Sequence, residues 1–221
     1  GLVGSEMCIR DSSFKVSDGL AARESGWLGA DSVFTAPELQ RRYPRVEVSL
    51  LTPKVALVPS SFFDESSMRQ CLADTVILDE GDEVCHIAVP EFAAELVYSP
   101  TIGEMLSRTI SRAVLDEDGN APEVLPEMYY ILKDLLKVEE YNRIVASFAA
   151  GHLHLGISQG RNLLLANVFR AADFTTAEYF LFLAIRNLQL NPEVTSVYFR
   201  TPLSGEEEMS LYRYFKSVER L

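Results

Sequence analysis

Apolar positions recur along the chain with two periods, and the second half is the more regular. Arg143 to Ala150, His152 to Ser158 and Asn162 to Phe169 carry the composition and alternation of strands. The punctuation between them is short, Gly151 and then Gln159-Gly160-Arg161, so they predict consecutive antiparallel strands. Thr175-Thr176-Ala177-Glu178 opens a helical pattern to about Leu190, ended by Asn191-Pro192. Val194 to Arg200 predicts a strand, and Ser204-Gly205-Glu206-Glu207 opens a last helix through Tyr214. Three antiparallel strands and a helical crossover to a parallel strand predict a mixed sheet with helices packed on it.

The first half is less regular. Residues 13–34, with Gly19, Gly26 and Gly29, predict a damaged strand region and loop. Thr35-Ala36-Pro37-Glu38 predicts a capped helix that stops near Tyr43, before Pro44. Arg45 to Leu51 and Lys54 to Val58 predict strands, and Asp64 caps a helix to about Ala73. Glu83 to Val89 and Phe92 to Tyr98 predict two more strands around Pro90, and Thr101 opens a helix to about Leu115. Asp116-Glu117-Asp118-Gly119-Asn120-Ala121-Pro122 has turn composition, and Met128 to Val138 is amphipathic.

Gly1 to Ser12 looks like translated sequencing adapter: one frame of a transposase library adapter spells Leu2 to Asp11 in order. On that reading Met7 is not a start and Cys8 is not a thiol of the protein. The native N-terminus is then expected to be missing, and deleting residues 1–12 to change stability by less than about 0.5 kcal/mol. Thermal unfolding of the shortened chain checks this.

The 221 residues are 48% hydrophobic and 24% charged, which excludes a disordered, collagen-like or disulfide-dense chain. The longest apolar run, Tyr179 to Ile185, is too short to cross a bilayer, so no direct membrane insertion is expected. Twenty basic against 32 acidic residues give −12, or −11 without residues 1–12, which argues against nucleic acid as a partner. Cys71 and Cys85 lie in no metal-binding spacing and read as free thiols of a reducing cytoplasm.

Ile144-Val145-Ala146-Ser147-Phe148-Ala149-Ala150-Gly151-His152-Leu153-His154-Leu155-Gly156-Ile157 resembles the second phosphate-binding hairpin of actin-like ATPases such as PilM and FtsA. Val55 to Asp64, Asn162 to Phe169, Ala177 to Leu190 and Leu211 to Phe215 fall in the order of an uncharacterised bacterial family, domain of unknown function 3822. The resemblance spans about 35–221. It implies an α/β protein with mixed sheets and the actin-like ATPase fold, two ribonuclease-H-like lobes truncated at both ends. The implied division is 13–115 for an incomplete N-terminal lobe, 116–142 for a junction and connecting helix, and 143–221 for an incomplete C-terminal lobe. Another strand and helix are expected beyond Arg220-Leu221.

The same hairpin speaks against hydrolysis. An actin-type site needs an aspartate to hold metal-bound water, then glycines and hydroxyls around the phosphate. Here Ser147 stands at the aspartate, Ala149 at a glycine, and His152 and Leu153 at the hydroxyl pair; only Gly151 survives. Gly156-Ile157-Ser158-Gln159-Gly160 matches a nucleophile elbow by letters, but a strand follows it rather than a helix. His152 and His154 share a strand face without a third ligand nearby and read as exposed imidazoles, while His86 reads as a satisfied histidine in an apolar strand. Tyr129, Tyr130, Tyr179, Phe180 and Phe182 read as core, and Glu206-Glu207-Glu208 as a first helical turn favoured by the dipole. Glu123, Glu127, Asp134, Glu139 and Glu140 read as a solvated acidic face.

The expectation is therefore a non-catalytic pseudo-ATPase of metagenomic origin: a cytoplasmic binding or scaffold module with no catalytic residue, cofactor site or metal ligand. Its partner is an unidentified protein, and self-association stays open. The alternative is a nucleotide-dependent ATPase whose acidic residues lie in the missing termini.

Overall fold

The computed structural model describes residues 12–17, 22–29, 32, 35–101 and 114–221. It divides into two compact units, Gly1–Val48 with Gly103–Val124, and Ser49–Ile102 with Leu125–Leu221.

In the first unit, β1 (Lys15–Ser17) pairs antiparallel with β2 (Ala22–Glu24). The adapter-like residues 1–11 lie outside the described residues, while Ser12 exchanges backbone hydrogen bonds of 2.9 and 2.8 Å with Leu28. The helix expected from Thr35 is a single 3-10 turn, Pro37–Gln40. Thr35 does not cap it: its hydroxyl donates to Ser32 O at 3.2 Å, and Ala36 holds the cap position without a side-chain bond. Four uncapped residues do not recover the cost of α-helix nucleation. The turn at 116–120 forms as expected, with Asn120 N donating to Asp116 Oδ1 at 2.7 Å and Gly119 at φ 83. The helix predicted over 101–115 falls on 102–113, outside the described residues.

Among the described residues, the larger unit holds a three-stranded sheet, a five-stranded sheet and most of a two-stranded pair. β3 (Val48–Leu50) covers only part of the predicted 45–51 and leads to β4 (Val55–Pro59). Asp64 caps a 3-10 turn by accepting from Ser66 N at 2.9 Å, and α1 (Met68–Ala73) follows. β5 (Cys85–Val89) and β6 (Ala94–Tyr98) complete an antiparallel sheet in the order β4-β6-β5. His86 on β5 is partnered, Nδ1 facing Glu95 Oε2 at 3.1 Å and Nε2 facing Glu65 Oε1 at 3.2 Å. β7 (Val124–Pro126) pairs with β3 and passes directly into α2 (Glu127–Lys137).

The five-stranded sheet is built from β8 (Asn142–Ala149), β9 (His152–Gln159), β10 (Asn162–Arg170), β11 (Ser196–Phe199) and β12 (Ser217–Arg220). Its order is β10-β9-β8-β11-β12, with the first three antiparallel and β11 parallel to both β8 and β12. That is the mixed sheet expected, with β12 as a strand the apolar pattern alone did not reveal. Ala150 (φ 49) and Gly151 (φ 73) form the two-residue β8–β9 turn, whose left-handed pair matches the twist of the strands. α3 (Phe174–Asn187) is capped by Asp173, which accepts from Thr176 N at 2.7 Å. α4 (Gly205–Tyr212) starts with a reciprocal capping box between Ser204 and Glu207.

Each face of this sheet has its own core. On one, Ala177, Leu181 and Ile185 of α3 and Leu211 of α4 close over Ile144, Leu153, Leu155, Ile157 and Phe199. On the other lies α2, and it is covered from two sides. Met128, Ile131, Leu132 and Leu135 pack with Val145 and with Val55, Val89 and Leu96 of the smaller sheet. Residues 49–102 therefore group with 125–221, whereas a division by order along the chain separates them at a 116–142 junction. Of the aromatics expected in the core, Tyr130 is buried and Tyr129, Phe180 and Phe182 are half-buried. Tyr179 is corrected to a surface residue at 60% exposure, because it points away from the sheet between the flanks of α3.

Candidate functional site

The β8–β9 hairpin presents the positions compared above with a phosphate-binding hairpin. Leu153, at a hydroxyl position, is 1% exposed and belongs to the core beneath α3. Phe148 N, next to Ser147, donates to Thr201 Oγ1 at 2.9 Å rather than to an open cleft. Ser147 itself is fully buried and pairs across the ladder with His154.

A carboxylate nevertheless reaches the spot where an aspartate is missing. Glu127, the first residue of α2, is 3% exposed, and its Oε1 accepts from Ser147 Oγ at 2.5 Å. The same oxygen accepts from Arg200 Nε at 2.8 Å, and Oε2 accepts from Ser49 Oγ. A carboxylate in the first turn of a helix is also favoured by the dipole. Arg200, just past β11, donates through Nη1 to Asp134 Oδ2 and lies 5.2 Å from the Tyr130 ring centre. Asp134 Oδ1 takes a second cation, Lys137 Nζ, at 2.6 Å. Burial alone would lower the pKa of Arg200, but Glu127 and Asp134 outweigh it and hold the guanidinium above its ordinary value.

This arrangement corrects the solvated acidic face. Glu123 and Glu139 are exposed, but Glu127 and Asp134 are buried. Glu140 is half-buried, its Oε1 accepting from Ser196 Oγ at 2.8 Å and Lys216 Nζ at 3.0 Å. The signal was in the spacing: residues 127 and 134, seven apart, lie on the same helix face as Ile131 and so at its apolar stripe. Arg200 carried no comparable signal.

His154 is likewise corrected, from an exposed imidazole to a fully buried one whose Nε2 faces Thr52 O at 3.1 Å. His152 is half-buried, with Nδ1 facing Ala150 O at 2.8 Å, so the two rings meet different partners. Ser158 is buried within β9 and ends a hairpin at Gly160 (φ 55), a setting unlike a strand–turn–helix elbow. Among the described residues no three His, Cys, Asp or Glu side chains form a group able to hold a metal ion.

Chemically, both oxygens of Glu127 are engaged. Three donors occupy its two oxygens, and one is a guanidinium that cancels its charge. With Asp134 and Lys137 the cluster balances two carboxylates against two cations and pins the start of α2 to β8 and to the end of β11.

Solved structures share this architecture. A Bacteroides thetaiotaomicron protein with actin-like ATPase fold and unknown function aligns over 96% of this chain and 87% of its own, at 15% identity and TM-score 0.63. The cytoplasmic domain of EpsL, an inner membrane component of the type II secretion system of Vibrio cholerae, aligns over 88% of this chain and 78% of its own, at 16% identity and TM-score 0.50. A chain of the PilM–PilN type IV pilus biogenesis complex aligns over 96% and 86%, at 16% identity and TM-score 0.50. The fold is therefore that of the actin-like ATPases. No curated protein matches the chain. The family model described as "Protein of unknown function (DUF3822)" matches residues 30–218, and the chain belongs to that family.

Proposed function

We propose that this chain is a non-catalytic member of the actin-like fold that acts in the cytoplasm as a binding or scaffold module for another protein. The observation that carries the reading is the occupancy of Glu127. Among the described residues, the carboxylate that reaches the hairpin has both oxygens engaged, by Ser147, Ser49 and Arg200, so neither is left without a protein donor to hold metal-bound water. Leu153, in the core, adds an aliphatic chain where a phosphate would need a donor. Metal positioning and electrostatic stabilisation supply most of phosphoryl-transfer catalysis, and among the described residues this hairpin carries neither.

A protein partner is supported by two fold neighbours that are parts of assemblies, one a chain of the PilM–PilN complex and the other a component of a secretion system. Among the described residues no helix is long and apolar enough to cross a membrane. The net charge of −12 adds an unfavourable field for a polyanion such as a nucleotide.

Calorimetric titration of magnesium ATP into the full chain tests the reading. No saturable heat is expected up to about 1 mM, weaker than about −4 kcal/mol, and phosphate release stays at background. A magnesium-dependent dissociation constant in the low micromolar range, about −8 kcal/mol, overturns it.

A further inference from the structure

We propose that His154 is an acid-sensitive latch between the three- and five-stranded sheets of the larger unit, closed while its imidazole is neutral and released when the ring is protonated. The geometry is specific. Nε2 faces the carbonyl oxygen of Thr52 at 3.1 Å, across 102 residues of sequence, so the neutral ring carries its hydrogen on Nε2. Nδ1 is buried and has no hydrogen-bond partner among the described residues. A proton added there creates a donor and a charge with nothing to receive either.

Thr52 is the joint on the other side. It is fully buried, its Oγ1 donates to Ser99 O at 2.7 Å, and Lys54 N donates to that Oγ1 at 3.2 Å. Ser99 N returns a bond to Lys54 O at 2.9 Å. One imidazole thus ties the start of β4 and the end of β6 to the middle of β9. Its ladder neighbours are Ser147 on β8 and Val168 on β10.

Charged groups bear on the ring from three directions. Glu127 of α2 favours protonation, although Arg200 already neutralises it. His152 of β9 opposes protonation. Lys54, beside the joint, is held by Asp82 at 2.5 Å and Asp79 at 3.0 Å. Burial dominates and holds the pKa of His154 below its ordinary value, against the pull of the Thr52 carbonyl. The unfolded ring, near pH 6.5, takes up its proton first, so the latch is at full strength above that pH and weakens as pH falls below it. His86 has the opposite sign. Its bond to Glu95, reinforced by Glu65, raises its pKa, so its contribution is complete below about pH 6.5 and is lost as pH rises through the raised value.

Native-state amide exchange of Lys54 and Ser99 in the full chain, corrected for intrinsic rates between pH 7.5 and 5, tests the proposal. Opening should grow about tenfold per pH unit below about 6.5, as expected for one linked proton. In His154→Gln, whose amide can donate to Thr52 but cannot titrate, the profile should be flat. NMR titration of the ring in the unmodified protein gives a second readout that needs no variant. It should show the Nε2–H tautomer persisting through pH 6.5. A flat profile in the unmodified protein, the same slope in His154→Gln, or a ring titrating near 6.5 would each overturn the latch.

Discussion

Replacing Arg200 by methionine is expected to lower the unfolding free energy by about 3–5 kcal/mol, the usual cost of stranding buried charges. The substitution keeps apolar volume beside Tyr130 but leaves Glu127 and Asp134 without the cation they share. Lys137 cannot take its place, because its side chain is 70% exposed and its ammonium is already on Asp134. Combining Arg200→Met with Glu127→Gln and Asp134→Asn should restore much of the loss, since the stranded carboxylates cause most of it. Urea denaturation at constant m-value measures both. A loss below about 1 kcal/mol for Arg200→Met would mean that the cluster behaves as a surface ion pair.

Gly156→Ala is expected to destabilise by about 1–3 kcal/mol, the range for overpacking a filled core. Elsewhere in a strand the same change would be favourable by roughly 0.5–1 kcal/mol, because glycine loses the most backbone freedom on folding. The sign is reversed here by α2. A Cβ at position 156 would stand 2.5 Å from Ile131 Cγ2 and 3.0 Å from Leu135 Cδ1. Both side chains are fully buried, so neither can swing into solvent. Combined with Ile131→Ala, which removes the Cγ2 that the new methyl would meet, the alanine should cost less than the sum of the two single changes, by about 0.5 kcal/mol or more. Thermal unfolding of the four proteins decides it, and strict additivity would show that α2 can move off β9.

What the sequence determined by itself is local and periodic. The β8–β9 and β9–β10 hairpins, the Ser204–Glu207 capping box and the Asp64 cap depend on neighbours a few residues apart, and all formed as read. The antiparallel trio and its parallel fourth strand followed as well, because three hairpin strands and a helical crossover leave few ways to build a sheet, whereas β12 was not read from the pattern. Tertiary structure decided the rest. Arg200 meets Glu127 and Asp134 across 73 and 66 residues, and no periodicity marks a strand-end arginine as their partner. The acidic residues of α2 looked solvated because a helix covered on one side has a polar face to spare. α2 is covered on two sides, so its carboxylates are buried and must be paired. His154 reads as exposed from strand alternation alone, yet the link carrying Thr52, between β3 and β4, meets that face and takes it out of water. Alternation and capping are properties of the chain, while burial depends on which second surface arrives, and only the packed fold supplies it.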